Sequence, residues 1–78
     1  MTQILGTINA GYEIISVTMF SKEDGVVIGR KIEGDTSFCP YVVWSFNIYD
    51  GQLSFYWGQY VNSLKTALNI VCKSFAEA

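Results

Sequence analysis

The chain has 78 residues, half of them hydrophobic and 15% aromatic, with a net charge of −2 and no histidine. This length predicts a single domain, residues 1–78, whose stability depends on dense packing or on oligomerisation. The five basic residues form no run, which disfavours nucleic-acid binding, and no apolar run approaches the roughly 20 residues that a membrane-spanning helix needs.

Residues 1–10 are ambiguous and predict either a short strand or an arm packed on the core. Ile4, Leu5 and Ile8 would supply its apolar contacts. Residues 1–3 lack the basic segment that begins a signal peptide, so a cytoplasmic location is expected. Asn9-Ala10-Gly11 predicts a break in the chain.

Residues 11–58 predict a β-meander. Residues 12–20 are rich in β-branched side chains and form its first long strand, with Ile15, Val17 and Met19 on the more uniform apolar face. A polar turn at residues 21–25 leads to a second strand at residues 26–32, and loop lengths of three to five residues all fit. Gly29 marks either a bulge or a close approach of two backbones.

Residues 33–40 predict a loop. Pro40 favours an extended conformation at Cys39 and suits the beginning of the next strand. Phe38 is expected to plug the edge of the core from this loop.

Residues 41–58 form the most clearly predicted unit, a β-hairpin closed by Asp50-Gly51. A two-residue type I′ turn needs positive φ at both central positions, which Gly and Asp tolerate. The resulting register places one set of large apolar pairs on the same face, namely Ile48/Leu53, Phe46/Phe55 and Trp44/Trp57. The opposite face would carry Tyr49/Gln52, Asn47/Ser54, Ser45/Tyr56 and Val43/Gly58.

A C-terminal helix is predicted over residues 62–76, with Asn62 or Ser63 as its N-cap. At 100° per residue one apolar stripe contains Val61, Leu64, Leu68, Val71, Cys72 and Phe75. Ile70 falls on the polar side. The helix has the length to cover the face of Trp44, Phe46 and Ile48, and the fold class is therefore α+β, an antiparallel β-meander of three to four strands with one C-terminal amphipathic helix packed on one face.

The residues offer little for catalysis or metal binding. Without histidine the chain lacks the commonest general base and metal ligand. Cys72 lies on the predicted core stripe, Cys39 lies in a loop, and both are expected to be free thiols. The acidic pairs Glu23-Asp24 and Glu33/Asp35 indicate solvated turns. No catalytic residue, metal site or cofactor is predicted, and the protein is not expected to be an enzyme.

The hairpin face away from the predicted helix is the one surface that suggests a function. Seven residues line it: Tyr41, Ser45, Asn47, Tyr49, Gln52, Ser54 and Tyr56. Cross-strand packing on a solvated sheet explains such a face without any partner. A protein-binding surface explains it equally well, because tyrosine combines a large rigid ring with a polar tip and is enriched at interfaces.

The segment from Pro40 to Phe75 resembles a group of small uncharacterised proteins encoded on conjugative and other mobile elements of Gram-positive gut bacteria. The shared residues are Tyr41-Val42-Val43-Trp44, Asp50-Gly51, Tyr56-Trp57-Gly58-Gln59-Tyr60, Ala67 and Phe75. The chain departs from that pattern at Gln59, where histidine is frequent, and at the helix start Asn62-Ser63-Leu64-Lys65, which is acidic in the group. The resemblance implies a mobile-element setting and no activity.

Three functions follow as hypotheses. The first is a non-enzymatic protein-interaction module, an accessory of a mobile element or phage, whose partner at the seven-residue face is either a second copy of the chain in a homodimer or an unidentified host protein. The second is an inhibitor of a host defence or nuclease system. The third is weak single-stranded nucleic-acid binding through stacked aromatic rings, which the scarcity of Lys and Arg makes the least favoured of the three.

Overall fold

The computed structural model describes residues 4–34 and 37–77 and shows an α+β fold. Five strands are followed by one helix: β1 (Ile8–Asn9), β2 (Tyr12–Met19), β3 (Asp24–Lys31), β4 (Tyr41–Tyr49), β5 (Gln52–Val61) and α1 (Leu64–Glu77). The strands form one curled antiparallel sheet in sequence order, so the sheet has five strands rather than the predicted three to four. Residues 1–3 of the predicted arm and residues 35–36 of the predicted loop, including Asp35, lie outside the described residues.

Two tight turns set the pairing at both ends of the meander. Asp50 and Gly51 have φ values of +53° and +78°, and Tyr49 pairs with Gln52, as a two-residue type I′ loop requires. The first turn is built the same way, because Ala10 and Gly11 have φ values of +52° and +82°. The break predicted at residues 9–11 is therefore a hairpin turn, and it makes β1 a partner of β2.

The sheet face that carries Trp44 and Phe46 forms a core without the helix. Its buried residues are Ile4, Tyr12, Ile14, Val27, Val42, Trp44 and Phe46, with Val17, Ile48, Leu53 and Phe55 packed at their margin. A Cβ atom at Gly29 would lie 2.9 Å from Val42 Cγ1 and 3.0 Å from Tyr12 Cβ, so this glycine makes room for side chains of both neighbouring strands and not for a second backbone.

Helix α1 packs on the opposite face, and the prediction that it covers Trp44, Phe46 and Ile48 is wrong. The second core contains Val26, Ile28, Val43 and Ala67, with Tyr41, Val61, Ile70 and Val71 among the residues around it. Ala67 is fully buried, which lets the helix approach these β-branched side chains closely. The face expected to be free is therefore the face on which the helix lies.

The helix is also rotated about its axis relative to the prediction. Ile70, expected on the polar side, packs into the second core beside Val71. Leu68 and Cys72, expected inside, are exposed, and so are Leu64 and Phe75. The apolar stripe predicted from the large residues of the helix is wrong, because the contact between α1 and the sheet is centred on the small residue Ala67. The helix begins as predicted, since the Ser63 hydroxyl oxygen accepts a hydrogen bond from the Thr66 N–H at 3.2 Å.

Three other expectations fail at chain irregularities. Cys39, expected to be extended before Pro40, has a φ of +46°. Phe38 does not plug the core, because its side chain is 69% exposed. The apolar face predicted for residues 12–20 is divided at a bulge between Ile14 and Ser16, which leaves Ile15 with the helix-side core and Val17 with the other. Tyr12 and Ile14 are the deeply buried residues of this strand.

Candidate functional site at the edge of strand β5

A β-bulge in β5 is the feature that organises the candidate site. The predicted pairs from Tyr49/Gln52 to Ser45/Tyr56 are confirmed, but Val43 pairs with Gln59 and not with Gly58. Trp57 and Gly58 therefore stand together opposite Trp44, and the predicted pairs Trp44/Trp57 and Val43/Gly58 are wrong. A Cβ atom at Gly58 would lie 2.7 Å from Trp44 Nε1, so the buried indole requires glycine there.

The bulge turns Trp57 out of the sheet. Its φ is +53°, a left-handed conformation that bulky residues rarely adopt. Its side chain is 80% exposed, whereas the side chain of Trp44 is 6% exposed. The ring of Trp57 meets that of Tyr56 edge to face, with centroids 5.0 Å apart. The prediction that both tryptophans are buried thus holds for Trp44 and is wrong for Trp57.

The shifted register also brings Tyr60 into an aromatic cluster. Its ring centroid lies 5.7 Å from that of Tyr12 and 6.4 Å from that of Trp44, yet half of the side chain remains exposed. The Tyr12 hydroxyl donates a hydrogen bond of 2.8 Å to the Cys39 carbonyl. Burial raises the pKa of Tyr12, and the neighbouring Tyr60 and Cys39 raise it further. This cluster anchors the far end of β5 to the core.

The seven residues predicted to bind a protein divide into two groups. The register places all of them on the helix side of the sheet. Tyr41, Ser45 and Tyr56 are half-buried, and Tyr41 packs in the helix-side core. The exposed residues are Asn47, Tyr49, Gln52 and Ser54, with Tyr49 at 79%. The structure thus leaves a smaller open area here than the sequence predicted.

The outer edge of β5 is open in the described part of the chain. β5 pairs with β4 on one side and is the last strand of the sheet. None of its ten residues is charged and none is proline, which are the side chains that proteins commonly use to protect an edge. We call this strip, residues 52–57 with the Trp57 side chain, the β5 edge.

The turn geometry fixes which backbone groups face outward from the β5 edge. In a hairpin closed by two residues, the flanking pair Tyr49/Gln52 exchanges both of its backbone hydrogen bonds. The pattern alternates, so Ser54 and Tyr56 direct their N–H and C=O groups toward β4. Leu53 and Phe55 direct theirs outward, where they are free to pair with another strand.

Sequence reasoning missed Trp57 and Tyr60 as surface residues. Strict alternation assigns Trp57 to the core, and Tyr60 lies beyond the predicted hairpin, which ends at residue 58. The signal that could have found them is Gly58, because a glycine inside a strand often marks a bulge. A single extra residue reverses the faces of all residues beyond it.

The remaining reactive or metal-binding side chains form no site in the described residues. Cys39 and Cys72 are both free thiols, and residues 4–34 and 37–77 contain no cluster of three potential metal ligands. An open depression of about 480 Å³ lies beside the β2–β3 turn, where the Ser21 hydroxyl donates to Asp24 Oδ1 at 2.6 Å. That bond stabilises the turn itself. No helix in the described residues is long and apolar enough to cross a membrane.

Comparisons with family models, curated proteins and solved structures found no match to this chain. The structure itself places the protein in the α+β class, with an antiparallel five-stranded sheet and one helix.

Proposed function

We propose that this protein is a small protein-interaction module that acts by binding rather than by catalysis, with the β5 edge as its contact surface. The observation that supports the proposal is Trp57, an 80% exposed tryptophan held at φ +53° on an open, uncharged strand edge. Strained conformations persist where the surrounding structure imposes them and are concentrated at functional sites. Tryptophan is also among the residues most enriched at the energetic centres of interfaces.

The size of the exposed aromatic surface fits an interface of modest area. A fully buried tryptophan or tyrosine removes about 150–250 Å² from water. Trp57, about four-fifths exposed, would contribute on the order of 200 Å². A standard interface buries about 800 Å² per partner, so the remaining area must come from the strand edge itself.

The resemblance of residues 40–75 to proteins of mobile elements belongs to this proposal as its setting, an accessory protein of a mobile element or phage. Nucleic-acid binding fits the edge less well. The exposed rings could stack bases, but β5 carries no basic residue, and Arg30 and Lys31 lie on β3, two strands away.

Site-specific photo-cross-linking tests the proposal. A photoreactive phenylalanine analogue replaces Trp57, and in a matched control it replaces Phe38, which is 69% exposed but lies in a loop. We expect a discrete adduct with one protein species at position 57 and none at position 38. If the adduct joins the chain to a different protein, an excess of wild-type chain should suppress it, whereas an excess of the Trp57→Ser variant should not. If it joins two copies of the chain, its yield should rise with added wild-type chain and not with added Trp57→Ser variant. Absence of an adduct at position 57 that meets either condition would refute the proposed function.

A further inference from the structure

We infer that the partner of the β5 edge is a second copy of this chain, paired antiparallel through Leu53 and Phe55 about a two-fold axis at Ser54. The inference rests on the proposed function of the same edge and identifies its occupant. The paired sheets would form one continuous ten-stranded sheet. The geometry of β5 supports this in three steps.

The backbone of the edge is complementary to itself. Leu53 and Phe55 direct their N–H and C=O groups outward and are separated by one residue. With the axis at Ser54, Leu53 of one copy faces Phe55 of the other, and each such pair exchanges two hydrogen bonds. Two pairs satisfy all outward groups of the regular segment, so no backbone group there is left unpaired.

The side chains of the edge match in the same register. Leu53 and Phe55 are only partly buried on the sheet face that carries Trp44 and Phe46. The pairing sets them side by side and extends that apolar core from one copy into the next. On the other face the uncharged Gln52 faces Tyr56, and Ser54 faces its own symmetry mate.

The bulge ends the pairing between the two β5 strands and sets the position of Trp57 at its end. Beyond Tyr56 the strand leaves the regular ladder, so the paired segment ends there. The same register sets Trp57 opposite Gly51 of the other copy, where no side chain occupies the space. Each exposed indole would thus close one end of the paired segment. Five paired residues and one tryptophan per copy make an interface below the standard size, and we expect a reversible dimer with a micromolar dissociation constant.

Introducing charges of either sign at position 54 tests the inference. Ser54 is exposed and directs its backbone toward β4, so its side chain can change without loss of the hairpin. The variants Ser54→Lys and Ser54→Glu each place like charges on the two-fold axis and should weaken self-association about five-fold or more in sedimentation velocity. An equal mixture of the two should restore association, and the neutral variant Ser54→Gln should associate like the wild type. Failure of the mixture to associate more tightly than either variant would overturn the register.

Disulfide trapping provides a second readout that needs no tight binding. In a Cys39→Ser, Cys72→Ser background, Ser54→Cys should form a covalent dimer under mild oxidation, because facing Cα atoms in a non-hydrogen-bonded pair lie about 4.5 Å apart. Asn47→Cys is the control: it pairs with Ser54 within one copy, so the two cysteines would lie about 14 Å apart. Equal trapping at both positions would contradict the two-fold axis.

The outcomes also separate this inference from the proposed function. A wild-type chain that stays monomeric at high concentration, together with a suppressible Trp57 adduct to a different protein, overturns self-pairing and supports the interaction module. A monomer without any such adduct overturns both.

Discussion

The left-handed conformation of Trp57 predicts an unusual order of stability between glycine and alanine. Substitution by either residue removes the same exposed ring and its contact with Tyr56. The Trp57→Gly and Trp57→Ala variants therefore differ mainly in the backbone. Because φ is +53° at this position, we expect the Trp57→Gly variant to be the more stable of the two.

The magnitude follows from two opposing terms. An L-residue in the left-handed region costs about 1–2 kcal/mol, which glycine avoids. Glycine loses about 0.5–1 kcal/mol through the larger entropy of its unfolded chain. At the midpoints of these two ranges, the Trp57→Gly variant should thus exceed Trp57→Ala by about 0.75 kcal/mol in free energy of unfolding. For a domain of this size that corresponds to a rise in Tm of roughly 3–6 °C.

Position 54 supplies the matched control. Ser54 is exposed on the same strand but has no positive φ. There the order should reverse, with Ser54→Gly below Ser54→Ala by about 0.5–1 kcal/mol. Urea unfolding of dilute protein, followed by far-UV circular dichroism, measures all four variants. If Trp57→Ala equals or exceeds Trp57→Gly in stability, the bulge geometry is refuted.

Two further predictions concern the cores on either side of the sheet. Tyr12→Phe should lower the free energy of unfolding by about 1 kcal/mol at neutral pH, because the hydrogen bond to the Cys39 carbonyl is lost. The raised pKa of Tyr12 means that the unfolded chain ionises first as pH rises through about 10. Wild-type stability therefore falls there, and its advantage over Tyr12→Phe should shrink in urea titrations at increasing pH; a constant difference would contradict the shift. On the helix, Ile70→Ala should cost about 2 kcal/mol and Leu68→Ala less than about 1 kcal/mol, and the opposite order in thermal unfolding would refute the observed helix rotation.

The parts of the fold that the sequence predicts are those set by local chemistry. Asp50-Gly51 determines a turn because few residues accept two successive positive φ values, and the five pairs next to it follow directly. The helix start at Ser63 is equally local, since one hydroxyl group satisfies one free N–H. Local rules of this kind do not depend on what lies on the other side of the sheet.

The choice of sheet face for the helix is not local, and there the reasoning from apolar content fails. The Trp44 face carries the larger rings, but it closes on itself as the sheet curls, with Ile4, Tyr12 and Phe55 among the residues around the indole. On the other face Ala67 is fully buried in a core with Val43 and other β-branched residues, so the helix packs where small side chains allow close approach.

The candidate site depends on the same non-local effect. Strict alternation would have placed Trp57 beside Trp44, but the Trp44 indole lies over Gly58, where a Cβ atom would be 2.7 Å from Nε1. The bulge sets Trp57 and Gly58 together opposite Trp44, and Trp57 lies exposed at the sheet edge. With the rings closed on one face and the helix seated on the other, the β5 edge is where an outward-facing backbone and an exposed indole occur together in the described residues. The bulge opposite Trp44 therefore accounts both for the left-handed backbone at Trp57 and for the surface proposed to bind a partner.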